Sequence, residues 1–286
     1  MTIQERTFTG SDGRELLYRS AIPDNPKAIF IIVHGFGEHS GRYLNTMTRL
    51  AEAGYASYTM DLRGFGRNTR VPAYVPSIEP IVGDLHLLTG LARDELAAPE
   101  HGPEGGIPAI ILGHSMGGLL ALKQLLHHQD DYALAITSGP AILPPDNTSP
   151  LVISMARFLS ALLPYVPISS MGKEKGTRNE EQLEQDRHDP LFYDGGFRAR
   201  TGYRLLQTQL EVRQRLPEIT IPILALHGEG DLLISPRATE ILSDEIGSTD
   251  KTKVIFPVLY HEVLNEPERE MVFQKIFQWI DERLAR

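Results

Sequence analysis

Residues 107–118 read IPAIILGHSMGG and contain the strongest structural signal in this chain of 286 residues. The segment Ala109–Leu112 has the length and the continuous apolar character of a strand buried in a parallel sheet. The pattern glycine-x-serine-x-glycine follows at once, and leucines at helical spacing come after it. This strand–turn–helix pattern is typical of a nucleophile elbow, whose strained turn holds the serine hydroxyl above the sheet. We predict that Ser115 is a nucleophile; the alternative is a glycine-rich turn that contains a serine by chance.

On both sides of this stretch, short apolar segments alternate with amphipathic ones. The apolar segments are typical of buried parallel strands and are Ile29–Val33, Ala56–Met60, Ala133–Thr137, Ile223–Leu226 and Val254–Phe256. The amphipathic segments have helical periodicity and are Tyr43–Ala53, Ile81–Leu96, Met116–His127, Pro236–Ile246 and Pro267–Leu284. The alternation predicts an α/β fold with a mostly parallel, doubly wound sheet and helices on both faces. Gly10–Ala21 predicts an antiparallel hairpin at one edge.

From about residue 141 to residue 204 this alternation stops, and prolines become frequent. Leu151–Leu163, LVISMARFLSALL, predicts a very apolar helix. A segment of about sixty residues would be marginally stable as a separate domain. We therefore predict one domain, with a core formed by residues 1–140 and 205–286 and a helical cap, residues 141–204, inserted over the carboxyl edge of the sheet.

A serine needs a base and an acid that orients the base before it can attack a carbonyl carbon. In this architecture the acid and then the histidine should follow the ends of later strands. The last two predicted strands are followed by HGEGD, which ends at Asp231, and by PVLYHE, which contains His261. We predict the catalytic triad Ser115, Asp231 and His261. Because the imidazole must be neutral to accept a proton, activity is expected to fall on the acid side, around pH 6–7.

Neighbouring residues offer alternatives for these roles. Glu229 could replace Asp231 as the acid, although the shorter side chain fits a tight loop better. His227 is the nearest rival of the predicted base, but its place at the end of a strand favours a ring that braces the acid loop. His114, beside the serine, is expected to pack under the elbow.

The reaction also needs donors for the oxyanion. The backbone N–H of Met116 is one candidate, because it follows the nucleophile. The other is the backbone N–H of Phe36, in the sequence HGFG after the strand Ile29–Val33. Close behind it, Glu38 and Arg42 are expected to form a structural ion pair rather than to contact the alcohol part of a substrate.

Composition excludes several classes of function. Hydrophobic residues make up 41% and charged residues 23%, as in an ordinary globular protein. The net charge of −9 disfavours nucleic-acid binding, and the absence of cysteine excludes disulfides and thiolate chemistry. No cluster has metal-ligand spacing, so neither a metal nor a cofactor is expected. Without a signal peptide or a membrane span in the sequence, we expect a soluble, cytoplasmic protein.

Several longer motifs add a family resemblance. Residues 34–43 read HGFGEHSGRY, residues 61–68 read DLRGFGRN, and YHEVLNE surrounds the predicted base. With GHSMGG, these motifs resemble the monoacylglycerol lipase and lysophospholipase-like group of serine α/β-hydrolases. The resemblance implies the α/β-hydrolase fold and hydrolysis of a single fatty-acyl ester of glycerol, through an acyl-enzyme, under a mobile apolar cap. Phe65 and Asn68 depart from the family pattern, which usually has histidine and serine there.

The apolar cap helix is expected to bind the substrate. Its predicted contacts with an alkyl chain are Leu151, Met155, Phe158, Leu159 and Leu162. Part of the same surface is expected to dip into a lipid interface, and since the protein is acidic we expect this peripheral contact to be weak and reversible. The alternatives are a general carboxylesterase or lysophospholipase and, from a different class, a non-catalytic member of the fold that serves as a binding module.

Overall fold

An eight-stranded sheet forms the centre of the computed structural model, which describes residues 2–97, 106–144, 149–168 and 176–284. The strands are β1 (Gln4–Thr9), β2 (Glu15–Ala21), β3 (Ile29–Val33), β4 (Ala56–Met60), β5 (Ala109–His114), β6 (Leu134–Ser138), β7 (Ile223–Gly228) and β8 (Lys251–Phe256). Their order is β1-β2-β4-β3-β5-β6-β7-β8. Strands β3 to β8 run parallel, while β1 and β2 are antiparallel to their neighbours. The predicted α/β-hydrolase fold is confirmed.

The edge hairpin begins earlier than predicted. Gly10–Ala21 contains its turn and β2, whereas the first strand, β1, precedes that segment. Strand β1 is almost entirely exposed, with only Phe8 buried, because it forms the edge of the sheet. An exposed edge strand lacks the apolar pattern by which the buried strands could be recognised.

Helices cover both faces of the sheet. They are α1 (Leu44–Glu52), α2 (Glu79–Leu96), α3 (Met116–His128), α4 (Pro150–Leu162), α5 (Glu180–His188), α6 (Ala199–Arg215), α7 (Arg237–Glu245) and α8 (Arg269–Leu284). Alternate residues of β3 belong to two apolar clusters, Ile31 to one and Ile32 to the other. Helices α2, α3, α6 and α7 contribute to the first cluster, and α1 and α8 to the second.

The topology creates a crevice at one edge of the sheet. The chain moves from β3 to its neighbour β4 in one direction and then crosses back to β5 and β6 in the other, so the direction reverses between β3 and β5. Ligands of open α/β sheets bind at such a switch point, outside the carboxyl ends of the strands. Val33 and Gly113 pair at these ends. The segments that contain Phe36 and Ser115 therefore begin side by side.

Helices α4, α5 and α6 follow β6 and precede β7 in the chain, and they begin within the segment predicted as a cap. Helix α4 packs against α6, and α6 continues past residue 204 to join the core through Val212. Residues 145–148 and 169–175 of the predicted insertion lie outside the described part of the chain. The boundaries 141–204 stay a prediction. None of the described helices is both long and apolar enough to cross a bilayer.

Gly117→Ala tests the close packing of the elbow against β3. A Cβ at this position would overlap the carbonyl oxygens of Val33 and His34, which belong to rigid backbone. We expect a loss of about 3 kcal/mol in the free energy of unfolding, measured in urea. The control is Gly90→Ala in α2, where an added Cβ meets nothing within 4 Å. It should stabilise the protein by about 0.5–1 kcal/mol, and equal effects at the two sites would contradict this account.

Candidate active site

Ser115 occupies a strained turn between β5 and α3. Its backbone has φ 55° and ψ −119°, a conformation that a residue with a side chain rarely adopts. The turn is held because Ser115 N–H donates to the carbonyl of Ser138 at 2.9 Å, and the Ser115 carbonyl accepts from Ala141 N–H at 3.0 Å. These bonds anchor the turn to the end of β6. The strand–turn–helix geometry predicted from the sequence is present.

Asp231 lies in the loop after β7 and its carboxylate is completely buried. Its Oδ1 accepts the N–H groups of Leu233 and Ile234 at 2.8 and 2.9 Å. Its Oδ2 accepts from His261 Nδ1 at 2.6 Å and from His227 Nε2 at 2.9 Å. Burial opposes ionisation, but the hydrogen bonds from the two imidazoles outweigh it and lower the pKa of the carboxyl below its usual range.

The contact with Asp231 determines which nitrogen of His261 carries the proton. An ionised carboxylate is only an acceptor, so the proton of the neutral imidazole lies on Nδ1 and the lone pair on Nε2. His261 and Ser115 line one cavity at the carboxyl edge of the sheet. Glu229, the alternative acid, is exposed to solvent. The three predicted residues therefore meet at one edge, with an imidazole nitrogen available as a base.

His114 contacts the candidate base, which the sequence did not indicate. Its ring lines the same cavity and contacts the ring of His261, with centroids 4.6 Å apart. Its Nδ1 faces the carbonyl and hydroxyl oxygens of Ser138, each at 3.2 Å. Burial, reinforced by the neighbouring His261, lowers the pKa of His114 to about 4, so the ring is neutral at pH 7. No sequence signal separates such a ring from one packed beneath the turn.

The two predicted oxyanion donors belong to Met116, which follows Ser115 in the chain, and to Phe36, which lines the same cavity as Ser115. Met116 is the first residue of α3, where a backbone N–H has no acceptor within the helix. Phe36 follows β3 and lines the cavity, and its ring packs against Phe65 with centroids 5.3 Å apart. Within the described residues neither N–H has a hydrogen-bond acceptor. Two backbone donors are thus available beside the serine.

A buried guanidinium organises the surroundings of the cavity. Arg42 pairs with Glu38, which follows the Phe36 turn. It also donates to both carboxylate oxygens of Asp186 in α5, at 2.9 and 2.6 Å, and to Glu262 at 3.0 Å. The ion pair expected between Glu38 and Arg42 is present. What the sequence did not indicate is that the same guanidinium also holds a helix of the insertion and the segment next to the candidate base.

These contacts keep Glu38 ionised. Burial opposes ionisation, but the adjacent Arg42 outweighs it and lowers the pKa of Glu38 to about 2. Oε2 of Glu38 also accepts the N–H of Gly35 at 2.6 Å and the hydroxyl of Tyr43 at 2.8 Å. In contrast, burial raises the pKa of Asp186. Glu38 therefore fixes the start of the Phe36 turn through a charged, fully hydrogen-bonded carboxylate.

The predicted substrate contacts of the cap helix are not among the residues that line this cavity. Leu151, Met155, Phe158 and Leu162 are between 62% and 69% exposed, and only Leu159 is partly buried. Because α4 is apolar on nearly every side, its periodicity could not show which face packs against α6. The cavity is lined instead by Phe192, Tyr193 and Asp194, from the segment between α5 and α6.

One group of possible metal ligands lies far from the serine. His86, His128 and Asp131 place ligand atoms within 4.8 Å of one another. They lie near the end of α3, at the edge of the sheet opposite the elbow. His86 Nδ1 and Asp131 Oδ2 already form a hydrogen bond of 2.6 Å, and the rings of His86 and His128 stack. Among the described residues, no such group of possible ligands lies at the carboxyl edge of the sheet, near Ser115.

Comparisons with known proteins agree with this architecture. Residues 24–268 match the Hydrolase_4 family, described as "Serine aminopeptidase, S33". A monoacylglycerol lipase of Mycolicibacterium smegmatis is 31% identical over 98% of this chain and 97% of its own. The human monoglyceride lipase is 29% identical over 97% of this chain and 90% of its own. The solved structure of a soluble variant of a Saccharomyces cerevisiae monoglyceride lipase, in complex with a substrate analogue, has a similar fold. Its TM-score is 0.83, with 23% identity, over 99% of this chain and 94% of that chain.

Glu38→Gln tests the charged anchor of the Phe36 turn. The substitution puts an NH₂ group where a carboxylate accepts hydrogen bonds, so we expect a loss of about 3 kcal/mol in the free energy of unfolding at pH 7. The folded pKa of Glu38, about 2, lies below its ordinary value of 4.5. Its contribution is therefore fully present above pH 4.5 and is lost as the pH falls towards 2.

The measurement is urea unfolding of both proteins between pH 7 and pH 2.5. The difference in the free energy of unfolding between wild type and Glu38→Gln should become smaller as the pH falls from 4.5 to 2.5. Glu52→Gln, which removes an exposed partner of Arg49, is the control, and should change stability by less than about 1 kcal/mol. A Glu38→Gln difference that stays constant with pH would be inconsistent with this assignment.

Proposed function

This chain belongs to the Hydrolase_4 family of serine α/β-hydrolases, and on that premise we propose that it cleaves monoacylglycerols to glycerol and a free fatty acid. As a member of this family it is a serine ester hydrolase. The family description names an aminopeptidase, whereas the relatives that match along the whole chain are named as lipases of monoacylglycerols. That full-length likeness is the observation that carries the proposal, because it includes the insertion over the site.

In the first step, Nε2 of His261 accepts the hydroxyl proton of Ser115 while the serine oxygen attacks the ester carbonyl carbon. The N–H groups of Phe36 and Met116 stabilise the negative charge that forms on the carbonyl oxygen. The ester C–O bond then breaks, and the imidazolium returns its proton to the departing glycerol oxygen. Asp231 stabilises the imidazolium without accepting its proton.

In the second step, water replaces glycerol. His261 takes one proton from the water as its oxygen attacks the acyl-serine carbonyl carbon. The bond to Ser115 breaks, the serine oxygen regains a proton from the imidazolium, and the fatty acid leaves. Both steps use the same base and the same two backbone donors. The acyl-enzyme therefore requires no group beyond the side chains and N–H groups already described.

The cavity beside Ser115 is too small for a substrate with a long acyl chain. Its volume of about 40 Å³ has room for only a few water molecules, since one water needs at least about 10–15 Å³. We therefore propose that helix α4 of the cap shifts when a monoacylglycerol binds, and that its apolar residues then contact the alkyl chain. Each buried methylene contributes about 0.8 kcal/mol, so the chain supplies most of the binding energy.

The exposed apolar side chains of α4 favour a lipid surface as their partner. Leu151, Met155, Phe158 and Leu162 are exposed and have the spacing of one helix face, and Tyr165, Val166 and Ile168, which follow α4, are also exposed. The proposed substrate is itself a lipid that partitions into bilayers. Because the net charge is −9, contact with the bilayer rests on apolar burial rather than on attraction to anionic headgroups. The contact is weak and reversible, at a membrane periphery.

Ser115→Ala should abolish hydrolysis. Loss of the nucleophile lowers turnover by roughly 10⁶-fold in serine hydrolases, and labelling by a fluorophosphonate probe should disappear with it. The readouts are release of fatty acid from monoolein and mass spectrometry of the labelled peptide. Ser11→Ala, at an exposed position in the edge hairpin, is the control and should keep full activity. A wild-type protein that the probe does not label would instead indicate a non-catalytic binding module.

The substrate class is tested with a panel of esters. Monoolein should be cleaved with a higher kcat/KM than diolein, triolein, lysophosphatidylcholine or nitrophenyl butyrate. A preference for lysophosphatidylcholine would favour a lysophospholipase, and a preference for the short ester would favour a general carboxylesterase. Either preference would overturn the proposed substrate while leaving the serine mechanism in place.

The double variant Met155→Glu/Phe158→Glu tests the lipid contact. Two charges on α4 should weaken partitioning onto phosphatidylcholine vesicles by at least roughly tenfold, measured by flotation. Hydrolysis of nitrophenyl butyrate in solution should change less than about twofold, because α4 does not line the cavity. Leu87→Glu, on the exposed face of α2, is the matched control. Wild-type protein that never floats with vesicles would refute the contact.

A further inference from the structure

Asp231 receives hydrogen bonds from two imidazoles on a single carboxylate oxygen. Besides the bond from His261, Oδ2 accepts one from Nε2 of His227, at the end of β7. The side chains of His227 and Asp231 are both completely inaccessible to solvent. Water therefore cannot replace either donor. The mechanism described above uses His261 and leaves the role of His227 open.

The surroundings of His227 determine its tautomer. Nε2 faces two acceptors, Oδ2 of Asp231 at 2.9 Å and the carbonyl of Ile234 at 3.0 Å. Nδ1 faces the hydroxyl of Thr239 in α7 at 2.7 Å. A carbonyl and a carboxylate can only accept, so the proton lies on Nε2 and the hydroxyl donates to Nδ1. His227 therefore donates from Nε2 to Asp231, and its second hydrogen bond, between Nδ1 and Thr239, orients the ring.

A donor on Oδ2 affects how strongly the acid interacts with the base. Oδ2 of the carboxylate accepts hydrogen bonds from both His227 and His261. The hydrogen bond from one imidazole therefore weakens the electrostatic attraction between Oδ2 and the other. Without His227, the whole charge of Oδ2 would face His261 and would stabilise its protonated form more strongly. When the imidazolium is more stable, the neutral imidazole that acts as the base forms only at higher pH.

We infer that His227 is a positioning residue that, through Asp231, sets the pH above which His261 can act as a base. The inference rests on the proposed serine hydrolase function. Among the described residues, the other titratable groups that line the cavity with His261 are His114, at the end of β5, the Arg42 partners Glu38 and Glu262, and Tyr193 and Asp194. Among the described residues, the hydrogen-bond partners of the His227 ring are Asp231, Ile234 and Thr239.

The tautomer can be measured without any substrate. In full-length protein labelled with ¹⁵N-histidine, a long-range ¹H–¹⁵N spectrum at pH 7 should show His227 protonated at Nε2 and unprotonated at Nδ1. The signals are assigned from their loss in His227→Gln. A proton on Nδ1, or a doubly protonated ring, would overturn the inference even if every variant folded poorly.

The effect on the base is measured as the rate of Ser115 labelling by a fluorophosphonate probe between pH 5 and pH 9. In His227→Leu the acid limb of the pH–rate profile, where the labelling rate falls as the pH decreases, should move to higher pH by roughly half a unit. The rate at pH 7 should fall by up to roughly threefold, which is the largest change that a shift of half a pH unit produces. His227→Gln keeps a donor near the position of Nε2, so its acid limb should coincide with that of wild type.

Thr239→Val is the matched control, because it removes the hydroxyl on Nδ1 and leaves the N–H on Asp231. A purely structural role for His227 would lower the stability of His227→Leu and Thr239→Val without moving the acid limb of either, and this result would refute the inference. A wild-type protein that reacts with the probe but does not cleave monoolein would refute only the proposed substrate.

Discussion

A single buried positive charge links the parts of this protein that form its site. Arg42 contacts Glu38 behind the Phe36 turn, Asp186 in α5 and Glu262 beside His261. A guanidinium without its partners would be costly inside the protein, so each carboxylate must stay within hydrogen-bond distance. Two further contacts join the insertion to the same region, from Tyr193 N–H to the Gly37 carbonyl and between His39 and Asp189. The insertion, the Phe36 turn and the candidate base are thereby held in register.

The sheet supplies the second constraint. The loops after β3, β5, β7 and β8 all emerge at the carboxyl edge, so four distant segments meet there without a dedicated support. Fine placement comes from close backbone packing at glycines. A Cβ on Gly139 would lie 2.9 Å from Nδ1 of His261, and one on Gly117 would overlap Val33. The positions of the elbow and of the His261 imidazole therefore depend on glycines, whose lack of a Cβ leaves space for the neighbouring atoms.

The two departures from the family pattern acquire a structural role. Phe65 is buried and packs edge-on against the rings of both His34 and Phe36, behind the turn that carries a candidate oxyanion donor. Asn68 accepts the N–H of Leu17 at 2.9 Å and donates to the carbonyl of Asp61 at 2.5 Å. Both residues connect the loop after β4 to its neighbours. Neither lines the cavity, so they act on the support of the site rather than on the substrate.

The amino-acid sequence by itself determined the sheet, the elbow and the order of the candidate triad, because these depend on local patterns. Strands β3 and β4 have their predicted bounds, and the bounds of α1 and α3 differ by one residue. Only the tertiary structure decided which face of α4 is exposed, which carboxylates surround Arg42 and that His227 shares the acid. Besides Glu38, which the sequence indicated, the partners of Arg42 are Asp186 and Glu262, 144 and 220 residues away. Such contacts carry no periodicity, since they arise only when separate loops converge at one edge.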